Sequence, residues 1–203
     1  MTIRLENISK RFQKHWVFRE INFCFSTGNI YAITGKNGSG KSTLLQIISG
    51  FLSPNSGSVQ YMSDTDIIIS SDEIFEYVSL VSPEMELYDE MNLEEIIDFH
   101  FSFKKMQNDF NRTKIIELLN FTSHLQKPIK SFSTGMKQKL KLALGFYASA
   151  PVLLLDEPIS NLDDTAITWY LEQLQKFTAG RLVIIASNQW VEKEMCRGGE
   201  VGL

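Results

Sequence analysis

Gly35-Lys36-Asn37-Gly38-Ser39-Gly40-Lys41-Ser42-Thr43 follows directly on the apolar run Ile30-Tyr31-Ala32-Ile33-Thr34 and opens onto Leu44, Leu45, Ile47 and Ile48, which recur at helical spacing. A short apolar run entering a glycine loop is a buried strand, and the helix after it stops at Gly50. The stretch fits G-x-x-x-x-G-K-[ST] in the strand–loop–helix context that gives this pattern its meaning. Glycine lets the backbone curl so that successive N–H groups face a phosphate chain, and the helix beginning near Lys41 adds the positive end of its dipole. Lys41 reaches the β- and γ-phosphates, and the Ser42 hydroxyl is placed to ligate Mg²⁺. The expectation is a site for ATP or GTP.

Downstream, Val152-Leu153-Leu154-Leu155-Asp156-Glu157-Pro158 is a four-residue apolar strand ending in two carboxylates. On a buried parallel strand Asp156 emerges at the C-terminal edge, where ligands of open α/β sheets sit, and is expected to hold the metal shell. Glu157 is the candidate general base that polarises an attacking water. Between the loop and this strand the texture changes. From about Glu84 to Lys127 the apolar positions Leu93, Ile96, Ile97, Ile115, Ile116, Leu118 and Leu119 are helically spaced, which predicts a helical lobe inserted into a parallel-sheet core. A helix over about 134–148 precedes the acidic strand. A last unit pairs a helix over 164–177 with the strand Leu182–Ala186. Upstream, Ile3, Leu5 and Ile8, then Ile21, Phe23 and Phe25, alternate as strands, and further strands are expected over 58–62, 66–69 and 77–81.

Phe132-Ser133-Thr134-Gly135-Met136-Lys137-Gln138 completes the set. A serine hydroxyl and a glycine backbone at a helix N-terminus can form an anion site, and Ser133 can equally cap the helix. With this segment the chain resembles the nucleotide-binding domains of ATP-binding-cassette (ABC) transporters over almost its whole length. The resemblance implies an α/β P-loop NTPase core with an N-terminal antiparallel β subdomain and an inserted α-helical subdomain. The core and β subdomain would take residues 1–83 and 129–203, and the helical subdomain residues 84–128. It implies ATP held by Gly35, Asn37, Gly38, Ser39, Gly40, Lys41, Ser42 and Thr43, with Mg²⁺ at Ser42, Asp156 and Glu84. Glu84 stands where the family places a glutamine linking core and lobe, a variant that some exporter-type members share. Ser133 and Gly135 would meet the γ-phosphate held by a second cassette, either an identical chain or a paired ATPase subunit. Ser160-Asn161-Leu162-Asp163 looks like the loop that crosses that dimer interface, with Asp163 facing the nucleotide. Phe12 lies where the family stacks an aromatic on adenine, the alternative being a core aromatic. Asn188, after the strand Leu182–Ala186, replaces the family's γ-phosphate histidine. An amide donates a hydrogen bond but carries no charge, so slow turnover is expected, with a binding module of marginal hydrolysis as the alternative.

The 203 residues carry 20 Lys+Arg against 24 Asp+Glu, a net charge of −4, which speaks against a general nucleic-acid binder. The interval from Lys41 to Ser133 leaves no room for the long coiled coil of DNA-repair ATPases, and only one cassette is present. A metabolic P-loop kinase would not need the Ser133 segment. Cys24 and Cys196 have no zinc or disulfide spacing. The longest nearly apolar stretch, residues 143–155, is broken by Pro151 and too short for a bilayer, so no direct membrane insertion is expected. The resemblance places the chain in the cytoplasm, on the inner face of the membrane through a separate transmembrane permease, with export favoured. His15, His100 and His124 read as surface or lobe residues, and Lys137, Lys139 and Lys141 as a solvated helix face. Residues 84–98 hold seven carboxylates and no Lys or Arg: a solvated acidic face, or a seat for a basic helix of the partner.

Overall fold

The computed structural model describes residues 1–189, 192 and 194–203. The chain divides into two compact units: residues 1–80, 151–157 and 178–203 form the first, and residues 81–150 and 158–177 the second.

The first unit holds two sheets. The hairpin of β1 (Thr2–Phe12) and β2 (His15–Ser26) joins β4 (Ser56–Met62) and the two-residue β5 (Ile68–Ile69) in an antiparallel sheet of order β2-β1-β4-β5. Ile3, Leu5 and Ile8 of β1 and Phe25 of β2 face inward, the alternation that puts one side of a half-buried sheet into the core. The other sheet has the order β6-β7-β8-β3-β9, from β6 (Val78–Val81), β7 (Val152–Asp156), β8 (Leu182–Ala186), β3 (Ile30–Thr34) and β9 (Gly199–Gly202). β3 runs parallel to both β8 and β9, and β7 parallel to β8. Every residue of β7 and β8 is buried, which is why both read as unbroken apolar runs rather than alternations. Helix α1 (Lys41–Ile48) seats Leu44, Leu45, Ile47 and Ile48 against Leu154, Ile184 and the inner face of β1.

Three sequence expectations shift here. The strand over 66–69 shrinks to Ile68–Ile69, because Asp66 takes φ 59° in a turn closed by its N–H on the Ser63 carbonyl. Tyr77 ends a four-residue helix, α2 (Ile74–Tyr77), instead of starting a strand. The final strand of the sheet is β9 rather than 182–186. Its Gly-Glu-Val-Gly sequence has no apolar pattern, and the ladder to β3 makes it a strand.

The second unit is helical: α3 (Leu93–Phe103), α4 (Arg112–Leu119), α5 (Thr134–Tyr147) and α6 (Asp164–Phe177). Asn92 starts α3 with a reciprocal capping box: its side chain accepts the Glu95 N–H, and the Glu95 carboxylate accepts the Asn92 N–H. Inside, Phe110 stacks on Tyr147 at 4.5 Å between centroids, and the Tyr147 hydroxyl donates to Gln173 of α6 at 2.9 Å. Thus α5 and α6 pack with the lobe helices, and the compact unit extends beyond residues 84–128.

Candidate nucleotide site

The end of β3 turns sharply into the glycine loop. Gly40 adopts φ 105°, and a Cβ there would lie 2.3 Å from Val17 Cγ1 of β2, so no larger residue fits. Helix α1 then begins with no side-chain cap and no acidic residue in its first turn. The first intrahelical bond runs from the Leu44 N–H to the Gly40 carbonyl, which leaves the N–H groups of Lys41, Ser42 and Thr43 without a helical acceptor. Such an end is built for an anion, not for a protein cap. Ser39 Oγ is buried and has no hydrogen-bond partner among the described residues. Asn37 and Gly38 sit exposed at the tip.

Lys41 is 6 % exposed, a charge that must be compensated locally. Its Nζ donates to the Gly35 carbonyl at 3.1 Å and lies 3.5 Å from Glu157 Oε1. Glu157 follows β7 with φ 44°, an uncommon conformation for a residue with a side chain, and its N–H donates to the Ala186 carbonyl at 2.9 Å. Strain of this kind fixes a carboxylate's direction at a strand end. Asp156, the last residue of β7, is 3 % exposed. Asn188 sits beyond β8: its Oδ1 accepts the Gly35 N–H at 3.4 Å, and its Nδ2 donates to Asn37 Oδ1 at 3.2 Å. Phe12, at the tip of the β1–β2 hairpin, is 51 % exposed, so it is not a core aromatic, and the Lys10 ammonium lies over its ring at 5.3 Å from the centroid. The buried Ser39 hydroxyl, the uncapped helix and the buried Asp156 together fit a metal–triphosphate. Ser42 and Asp156 would hold Mg²⁺, which offsets phosphate charge when bound.

Glu84, Ser133, Gly135 and Asp163 belong to the second unit. Ser133 caps α5, its Oγ accepting the Met136 N–H at 3.2 Å, and Asp163 Oδ1 accepts the Ala166 N–H at 2.8 Å at the start of α6. They border a recess of about 400 Å³ shared with Phe121, Lys139 and Asn161. Gly135 approaches Asn161 so closely that a Cβ would lie 2.8 Å from the Asn161 carbonyl oxygen. Glu84 is exposed.

Lys139 was missed as part of this recess. It is not on a solvated face: its Nζ donates to the Leu119 carbonyl at 3.0 Å and lies over the Trp169 ring at 4.9 Å. Burial lowers its pKa, and Asp163 opposes that shift. Lys137 pairs with Asp89 at 2.6 Å, and Lys141 donates to the Pro83 carbonyl at 3.1 Å. Only a signal linking lysines at every second position to distant carbonyls and rings would have found this, and periodicity carries none. The acidic stretch is likewise not bare. Asp98 and Glu94 pair with Arg112, Glu90 with Lys130 and Asp89 with Lys137, while Glu95 is spent in the capping box.

A phosphate loop on a parallel sheet, an acidic strand end beside its lysine and an inserted helical lobe define a P-loop nucleotide-binding cassette. The sequence model of the family described as ABC transporter matches residues 18–160, and the chain belongs to that family. It is 31% identical over 164 residues to the spermidine/putrescine import ATP-binding protein PotA of Fusobacterium nucleatum, covering 79% of this chain and 43% of that protein. It is 28% identical over 198 residues to the lantibiotic transport ATP-binding protein SrtF of Streptococcus pyogenes, covering 92% and 79%. The chain spans about half the length of the first curated relatives it matches, 43% and 53%. Among solved structures, the dimeric ABC transporter cassette MJ0796 shares the fold with a TM-score of 0.80 at 21% identity, over 96% of this chain and 91% of that one. Among the described residues, no helix is long and apolar enough to cross a membrane.

Proposed function

We propose that the chain is the ATP-hydrolysing subunit of an ABC transporter. ATP closes a head-to-tail dimer, and hydrolysis with phosphate release reopens it. The helical unit passes that motion to a separate transmembrane permease on the cytoplasmic face. The observation that carries this reading is the contact of Lys41 with Glu157 at 3.5 Å beside an uncapped helix start. When phosphate enters, Lys41 exchanges Glu157 and the Gly35 carbonyl for phosphate oxygens, and Glu157 is released to polarise water. Ser42, Asp156 and Glu84 are the proposed Mg²⁺ residues; Ser133, Gly135 and Asp163 serve the nucleotide of the opposite subunit, and Phe12 stacks on adenine. The test is phosphate release with and without Glu157→Gln. Turnover should fall by about 10²-fold or more while ATP binding persists. Equal turnover in the two proteins would remove Glu157 from the mechanism.

Turnover is proposed to be slow, because the Asn188 amide brings no charge to the γ-phosphate. The same residue favours the second reading, a binding module of marginal hydrolysis, since it bonds Gly35 and Asn37 and so ties down the glycine loop. The permease contact is proposed at the apolar groove of about 180 Å³ lined by Met85, Leu87, Tyr88, Phe99 and Phe103. There Phe103 is 75% exposed and Tyr88 58%. Export is the proposed direction, resting on Glu84 and the Ser133–Gln138 run; similar proteins include both an import and an export ATP-binding protein.

A further inference from the structure

The β1–β2 hairpin carries Lys10, Arg11, Lys14 and Arg19 between residues 8 and 19 with no carboxylate, in a chain whose net charge is −4. Lys10 is spoken for, buried and donating to the Ser53 carbonyl at 2.7 Å. Arg11 and Arg19 are different. Both guanidinium groups lie over one indole, that of Trp16, at 5.4 Å and 4.3 Å from its centroid. Neither has a carboxylate partner among the described residues, although Trp16 is 41% exposed and both arginines are exposed. Stacking fixes the plane of a guanidinium and leaves its N–H fork pointing outward, the arrangement that takes a phosphate or carboxylate in bidentate fashion.

Beside this stack lies a recess of about 350 Å³, lined by Asn7, Ser9, Trp16, Arg19, Glu20, Ser56 and Gly57. It is made by a local break in the sheet. Asn7 and Glu20 both take positive φ, at 52° and 53°, the β1–β2 register slips between Ile8 and Lys10, and the Glu20 N–H turns in to the Ser9 hydroxyl at 2.9 Å. Arg11 pairs with Trp16 across the hairpin, and the next rung pairs Phe12 with His15. Successive rungs face opposite ways, so the recess lies on the side of the hairpin away from Phe12.

We propose that Arg11, Trp16 and Arg19 form a second anion site that binds a phosphate group, separate from the glycine loop. The volume of the recess suits one phosphate-bearing group; Arg19 supplies a guanidinium fork from its lining, and Arg11 a second one over the same indole. The group belongs either to a soluble phosphate ester or to an anionic lipid headgroup.

The test titrates the full-length Lys41→Ala chain, in which the glycine loop is disabled, with inorganic pyrophosphate at constant ionic strength. Trp16 emission is isolated by difference from the same chain carrying Trp16→Phe. Saturable change is expected, weakened at least about tenfold by Arg11→Gln with Arg19→Gln, because each removes a charge-assisted bond. Glu20→Gln takes away the opposing charge in the lining and should tighten binding about two- to fivefold, a gain that no folding defect imitates. A parallel arm sediments the protein with phosphatidylglycerol or phosphatidylcholine vesicles. Arginine-dependent sedimentation with the anionic vesicles alone assigns the headgroup, and pyrophosphate saturation without it assigns a soluble ester. A linear response matched by chloride, a response that survives the double arginine substitution, or one that needs Lys41 overturns the proposal.

Discussion

Gly40 and Glu157 both hold positive φ at the candidate site, but for opposite reasons. Gly40 does so because the loop must pass within 2.3 Å, measured to an ideal Cβ, of Val17, so the constraint is space. Gly40→Ala should therefore cost about 1–3 kcal/mol in strain and displaced packing, read as a drop in Tm, together with loss of nucleotide binding. An unchanged Tm would mean that the loop relaxes freely. Glu157 pays conformational strain where a glycine would not, and it is held by Ala186 and Lys41. Asn188 illustrates the limit of reading residues one at a time. Its amide chemistry was legible in the sequence, but its two bonds to Gly35 and Asn37 were not. Asn188→His should raise turnover about tenfold or more, if charge at the γ-phosphate is what the chain lacks. A fall instead would show that clamping the loop is the more important role, and steady-state phosphate release distinguishes the two.

Helix ends and strand edges decide which elements the sequence discloses. The unit from β3 through α1 was legible because apolar run, glycine loop and helical spacing agree, and β7 and β8 because burial on both faces leaves unbroken apolar runs. β9 was not, since glycine at both ends and a single buried Val201 give no period, and only its ladder to β3 defines it. The ion pairs of the acidic stretch were not legible for a related reason. Its cations, Arg112, Lys130 and Lys137, come from beyond the stretch, and ion pairing across such separations has no local signature. Reversal of Glu94 and Glu95 to lysine would consequently damage α3 itself and could not report on a basic partner cleanly. Asn92→Ala isolates that element effect: loss of the capping box should lower stability by about 1 kcal/mol, seen in urea unfolding as a shifted midpoint with the same slope. No shift would mean that the frayed first turn of α3 costs the lobe nothing.

For the whole molecule, acid is a selective probe because the half-buried His100 resists protonation. His100 lines the apolar groove, its Nε2 has no partner among the described residues, and burial, with Lys104 adding to it, pushes its pKa down to about 4. The unfolded chain takes up this proton near 6.5, the folded chain only near 4. Between those values the unfolded state binds more protons, so stability is intact above about pH 6.5 and declines as pH falls toward 4. The loss is at most about 3 kcal/mol, and His100→Gln should flatten that limb of the stability–pH curve. A permease segment in the groove would shield His100 further and deepen the same dependence. Dimerisation tests the larger claim. Loop, base and Asp156 lie in the first unit, whereas Ser133, Gly135 and Asp163 lie in the second. If two chains share each nucleotide, Glu157→Gln should sediment as a dimer with Mg-ATP and as a monomer with ADP, since trapped ATP holds the closed state. Ser133→Arg should abolish the dimer without weakening ATP binding to the monomer, because its charge and bulk fall on the proposed shared face; the α5 cap that it also removes costs only about 1 kcal/mol. A dimer indifferent to both nucleotide and Ser133 would place the contact elsewhere and leave the recess at Ser133 without its proposed role.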